Sequence, residues 1–100
     1  MGLSKNEHLL LKASEECIEV SKEISKAIIF GLDDAHPYDA KTNKEKIQDE
    51  LADLLGVVEM LIYKGILDKK EIFNEEKIQE KQKKVLKWME YSVSLGITDA

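Results

Sequence analysis

The stretch from Ser4 to Gly31, SKNEHLLLKASEECIEVSKEISKAIIFG, decides the fold class. It opens with Ser4-Lys5-Asn6-Glu7, a capping box in which the serine hydroxyl and the glutamate carboxylate satisfy N–H groups that the first helical turn leaves unpaired. It closes on Gly31, which is suited to ending a helix. Between them Leu10, Ala13, Cys17, Val20, Ile24 and Ala27 step by three and four, the spacing of one buried helical stripe. The pattern recurs downstream. Thr42-Asn43-Lys44-Glu45 is a second capping box, and Gly65 follows a stripe of Ile47, Leu51, Leu54, Leu55, Val58, Leu61 and Ile62. Asp68-Lys69-Lys70-Glu71 starts a third segment that ends near Gly96 and carries Ile78, Val85, Leu86 and Met89 more sparsely. These signals predict helices over about 5–30, 43–64 and 69–93, with Asn74 able to cap a fresh turn inside the third. The expectation is an all-α antiparallel bundle in one domain, 1–100, completed by oligomerisation.

At 100 residues, a lone chain buries only about two-thirds of its unfolded surface, so pairing with further copies, as a homodimer or homotetramer, is expected to help. The net charge is −5 and arginine is absent. That argues against a nucleic acid polymer as partner, which needs a basic face to offset phosphate charge. A single nucleotide is compatible with an acidic site when a divalent metal brings the positive charge. The lone Cys17 allows no internal disulfide and no four-cysteine zinc site, and its place in the stripe predicts a small core residue. There is neither an apolar leader-like opening nor a run long enough to span a bilayer, so no membrane partner and a cytoplasmic location are expected.

Two segments carry chemistry. Glu16 and Glu19 are three residues apart and share a helix face, and Glu50 and Asp53 repeat that geometry on the second helix. Each pair lies beside its helix's apolar stripe, so packing the stripes brings the pairs together. Four carboxylates on adjoining faces repel unless something positive sits between them, and hard oxygen ligands of this kind suit Mg²⁺, with Mn²⁺ as a second choice. An isolated E-x-x-E pair is most simply a solvated helix face. Two such pairs on successive helices are harder to explain that way.

The wording around the pairs adds to this. Glu15-Glu16-Cys17-Ile18-Glu19-Val20-Ser21-Lys22, then Ser25-Lys26-Ala27-Ile28 running into Phe30-Gly31, then Asn43 and Glu50-Leu51-Ala52-Asp53-Leu54-Leu55-Gly56-Val57-Val58-Glu59-Met60-Leu61, resemble the motif helices of the all-α nucleotide pyrophosphohydrolases. This is the MazG-like group that includes dimeric dUTPases and dCTP pyrophosphatases, and the resemblance spans roughly residues 8–65. It implies Mg²⁺-dependent cleavage of a nucleoside triphosphate, deoxy or non-standard, to the monophosphate and pyrophosphate, in the service of nucleotide-pool control. It further implies that Glu16, Glu19, Glu50 and Asp53 are the metal ligands, with Glu16 or Glu19 also taking the proton of the attacking water. Lys22 and Lys26, on the same helix after Glu19, are assigned to phosphate contact. Asn43, two turns before Glu50, is assigned to the base or sugar, its other reading being a helix start. Trp88 is expected to pack between helices rather than to stack on a base. The competing functional reading is a non-catalytic dimeric helical interaction module with solvated acidic faces, and within the enzyme class a phosphoribosyl-linked nucleotide is a second substrate choice. No E-x-x-H pair supports a di-iron bundle.

Overall fold

The computed structural model describes residues 2–100, and every element among them is helical. Helix α1 spans Lys5–Phe30, α2 Asn43–Tyr63, α3 Lys69–Ile72 and α4 Glu75–Ser94. Both capping boxes form: Ser4 accepts from Glu7 N and Thr42 from Glu45 N, and each glutamate reaches back to its cap. The third segment breaks at Phe73, and Asn74 starts α4 by accepting from Lys77 N. No helix among the described residues is long and apolar enough to cross a membrane.

The chain divides into two compact units, one ending at Leu67 and the other Asp68–Ala100. The first is an antiparallel hairpin of α1 and α2. Its turn into the following segment is a Schellman motif: Gly65 N donates to Ile62 O at 2.9 Å and Ile66 N to Leu61 O at 2.9 Å. That closure needs φ of +76° at Gly65, a left-handed conformation that penalises a Cβ. Gly65→Ala is therefore expected to cost about 1–2 kcal/mol in chemical denaturation. Gly96 closes α4 in the same way, through Val93 O and Ser92 O.

The seam between α1 and α2 runs along Leu9, Ala13, Glu16, Val20, Glu23 and Ala27 on one side and Asn43, Ile47, Glu50, Leu54, Val57 and Leu61 on the other, all half-buried or buried. Both rows step by four and three, the 3.5-residue period of coiled-coil packing. The stripe expected on α1 is thus corrected. Ala13, Val20 and Ala27 do face α2, but Leu10 (46% exposed), Ile24 (41% exposed) and Cys17 lie on the outer flank. The core role expected for Cys17 fails for the same reason: it sits about 80° around the helix from the centre of the seam.

An antiparallel pair sets like flanks side by side. One edge of the hairpin is therefore polar, with Glu19 and Lys26 on α1 and Lys46 and Asp53 on α2. The other is apolar, with Leu10, Cys17 and Ile24 beside Leu51 and Leu55. Among the described residues, Ala27 and Leu61 are the only buried apolar ones. One buried leucine stabilises by about 1.5–3 kcal/mol, a small share of the ~5–15 kcal/mol typical of a domain.

In the second unit α4 buries no residue, so the stripe read from Ile78, Val85, Leu86 and Met89 is exposed. Trp88 is 60% exposed instead of packed between helices. Its ring meets Tyr91 edge-on at 5.8 Å, and the Lys87 ammonium lies 5.9 Å from its centroid.

Candidate functional site

The 4-3 spacing of the seam puts Glu16 and Glu50 between the helices, against the usual placing of charge outside. Asp53 stands one turn beyond Glu50 on the polar edge. Ligand oxygens of Glu16, Glu50 and Asp53 all lie within 4.8 Å of one another. Lys12 reaches Glu16 at 3.5 Å from one end, and Lys26 reaches Glu23 at 3.6 Å farther along the helix. Glu19, Glu50 and Asp53 make no ion pair among the described residues. The middle of this carboxylate row therefore lacks a countercharge, and its hard oxygen donors can hold a divalent cation.

The strain registers on Glu50, whose carboxyl is pushed above its ordinary range. Partial burial is the main cause, followed by the charges of Asp53, Glu16, Glu19 and Glu23. A carboxyl raised in the folded state favours folding when protonated, so its destabilising effect sets in as pH climbs through the interval between the unfolded and folded values. Relative to a Glu50→Gln variant, the metal-free protein is thus expected to lose melting temperature as pH rises above the ordinary carboxylate range, whereas the lowered carboxyls of Glu7 and Asp39 act in the opposite sense in both proteins. A parent-minus-variant difference that does not change with pH in a chelator-treated melting series would refute the account.

Of the other expected site residues, Glu19 is half-buried on the polar edge, outside the three-residue cluster but near enough to act on Glu50. Lys22 is exposed and is brought to neither the cluster nor the pocket described next. Lys26 and Asn43 both line a pocket of about 390 Å³ at the connector end of the hairpin, where the chain crosses from Gly31 to Thr42. Asn43 is only 5% exposed. Its Nδ2 donates to Gly31 O at 2.9 Å and its backbone N to Asp34 O at 2.8 Å, which ties the two ends of the connector together.

Two residues of the region were not singled out from the sequence. Glu23 is buried, and its Oε2 has no hydrogen-bond partner. The available signal was its seven-residue spacing from Glu16, which places both in one seam row. Lys46 pairs with Asp39 of the connector and lines the pocket. That contact depends on the path of the connector, which no local pattern encodes.

No family model matches the chain, and neither a curated protein nor a solved structure matches it.

Proposed function

We propose that this chain is a nucleoside triphosphate pyrophosphohydrolase that depends on Mg²⁺ and works as a homo-oligomer. The observation that carries the reading is the convergence of Glu16, Glu50 and Asp53 within 4.8 Å at the hairpin seam, with Glu50 and Asp53 unneutralised. These are residues of the two segments whose wording resembles the MazG-like enzymes. Glu16, Glu50 and Asp53, joined by Glu19, would hold the ion, and Mn²⁺ suits the same oxygen set. When bound, the ion supplies charge neutralisation for the phosphates and lowers the pKa of a bound water.

The remaining chemistry belongs to the chain's own groups. Glu19 lies outside the tight cluster and has no cationic partner among the described residues, so it is the carboxylate freest to take the proton of the attacking water. Glu16, already paired with Lys12, is the second choice. The water oxygen bonds to the α-phosphorus, the bond from that phosphorus to the oxygen bridging to the β-phosphorus breaks, and monophosphate and pyrophosphate leave. The place of action is the cytoplasm, where nucleotide pools lie.

The apolar edge supports the oligomer. Leu10, Ile24, Leu51 and Leu55 are each at least 41% exposed on one side of a hairpin with little enclosed core, and a second copy presenting the same edge would cover them. Purified protein assayed for pyrophosphate release across the ribo- and deoxynucleoside triphosphates, with Mg²⁺ and with chelator, tests the activity. Release that requires the metal supports it. No release from any nucleotide, with no Mg²⁺-dependent rise in melting temperature, leaves the non-catalytic interaction module as the better account.

A further inference from the structure

We infer that the pocket at the connector end of the hairpin takes the neutral, nucleoside part of the substrate, with the phosphates running along the seam towards Glu50. The ligand's identity rests on the pyrophosphohydrolase reading; the shape and charge of the pocket do not. Its volume of about 390 Å³ lies in the ~300–1,000 Å³ range of small-molecule sites. Phe30, Ala35 and Pro37 supply apolar wall. Phe30 is 64% exposed, which leaves its ring available to a stacked base.

Asn43 is the built polar element. Buried and anchored through Gly31 and Asp34, its carboxamide makes no other side-chain hydrogen bond among the described residues. Its carbonyl oxygen and second amide hydrogen are left for a ligand. That donor–acceptor pair complements the hydrogen-bonding edge of a base.

Charge decides which part of a nucleotide belongs here. The pocket's two lysines are already engaged, Lys26 by Glu23 at 3.6 Å and Lys46 by Asp39. A polyphosphate would find no uncompensated cation, whereas a base and sugar need none. Lys26 then lies beside the sugar end of the substrate instead of the pyrophosphate. Spacing agrees: Asn43 and Glu50 share the seam row seven residues apart, about 10 Å along the helix, comparable to the length of a nucleoside 5′-phosphate. A nucleotide with its base at Asn43 places its phosphates at the unneutralised carboxylates. It follows that residues 33–39 of the connector set base preference.

The test is a titration of the ¹⁵N-labelled full chain, in chelator, with each common nucleoside and its 5′-monophosphate. At least one is expected to shift the Asn43 side-chain amide together with the backbone of Ala35 to Asp39. Ala35→Trp changes an exposed connector residue and fills the pocket, so it should weaken that binding at least about tenfold. The same variant should keep the Mg²⁺-induced shifts at Glu50 and Asp53. Saturating probes that leave these signals unmoved, or Ala35→Trp binding as well as the parent, would overturn the inference. A normal Mg²⁺ response without nucleoside binding sinks the pocket alone. Nucleoside binding with neither a Mg²⁺ response nor pyrophosphate release keeps the pocket and sinks the pyrophosphohydrolase reading.

Discussion

Glu50→Gln is expected to lower metal-dependent pyrophosphate release by at least about a hundredfold, since even loss of an outer partner of a metal ligand costs 10–100-fold. Glu50 is the residue on which the site converges: Asp53, Glu16, Glu19 and Glu23 all act on its carboxyl. The substitution keeps the shape and removes one negative charge. Two effects of opposite sign should therefore appear together. Without metal, the variant should melt higher than the parent, because repulsion among the remaining carboxylates falls. With saturating Mg²⁺, the parent should gain melting temperature by linkage and the variant should gain little. A helix face that is merely solvated predicts neither effect. Release from the variant at the parental rate would remove Glu50 from the site.

Leu55→Glu should have the largest effect on assembly. Leu55 is 49% exposed and stands next to Leu51 on the apolar edge. A charge placed where a second copy would bury it costs several kcal/mol unless it finds a partner, on the order of 3–5 kcal/mol by analogy with broken buried pairs. Sedimentation should show the parent as a dimer or tetramer and the variant as a monomer of 11.4 kDa. Loss of the folded hairpin along with the oligomer is expected, because so little apolar surface is enclosed within one chain. Ala52→Glu, on the same helix but exposed on the side facing away from the seam and from this edge, is the control that should leave assembly unchanged. A monomeric parent at high concentration would refute the proposed role of this edge.

Much of the architecture was legible because it is local. Ser4 with Glu7, Thr42 with Glu45, Asp68 and Asn74 mark helix starts through hydrogen bonds spanning two or three residues, and all four form. The four carboxylates were legible as two i, i+3 pairs for the same reason. The face of α1 that packs was not. Two heptad rows share Ala13, Val20 and Ala27: one adds Leu10, Cys17 and Ile24, the other Leu9, Glu16 and Glu23. Hydrophobicity favours the first row, and the hairpin uses the second. A helix apolar over more than half its circumference does not select its own partner, and the buried glutamates run against the rule that charge faces water.

The amino-acid sequence by itself determined helix type, helix limits and the identity of the acidic pairs, since each depends on groups within one or two turns. Only the tertiary structure decided that Glu16 and Glu50 stand inside the seam, that Glu23 joins their row, and that Lys26, Asn43 and Lys46 enclose a pocket at the connector. Those outcomes depend on the rotation of one helix against the other, a degree of freedom of about 50° that local hydrogen bonding leaves open and side-chain packing closes.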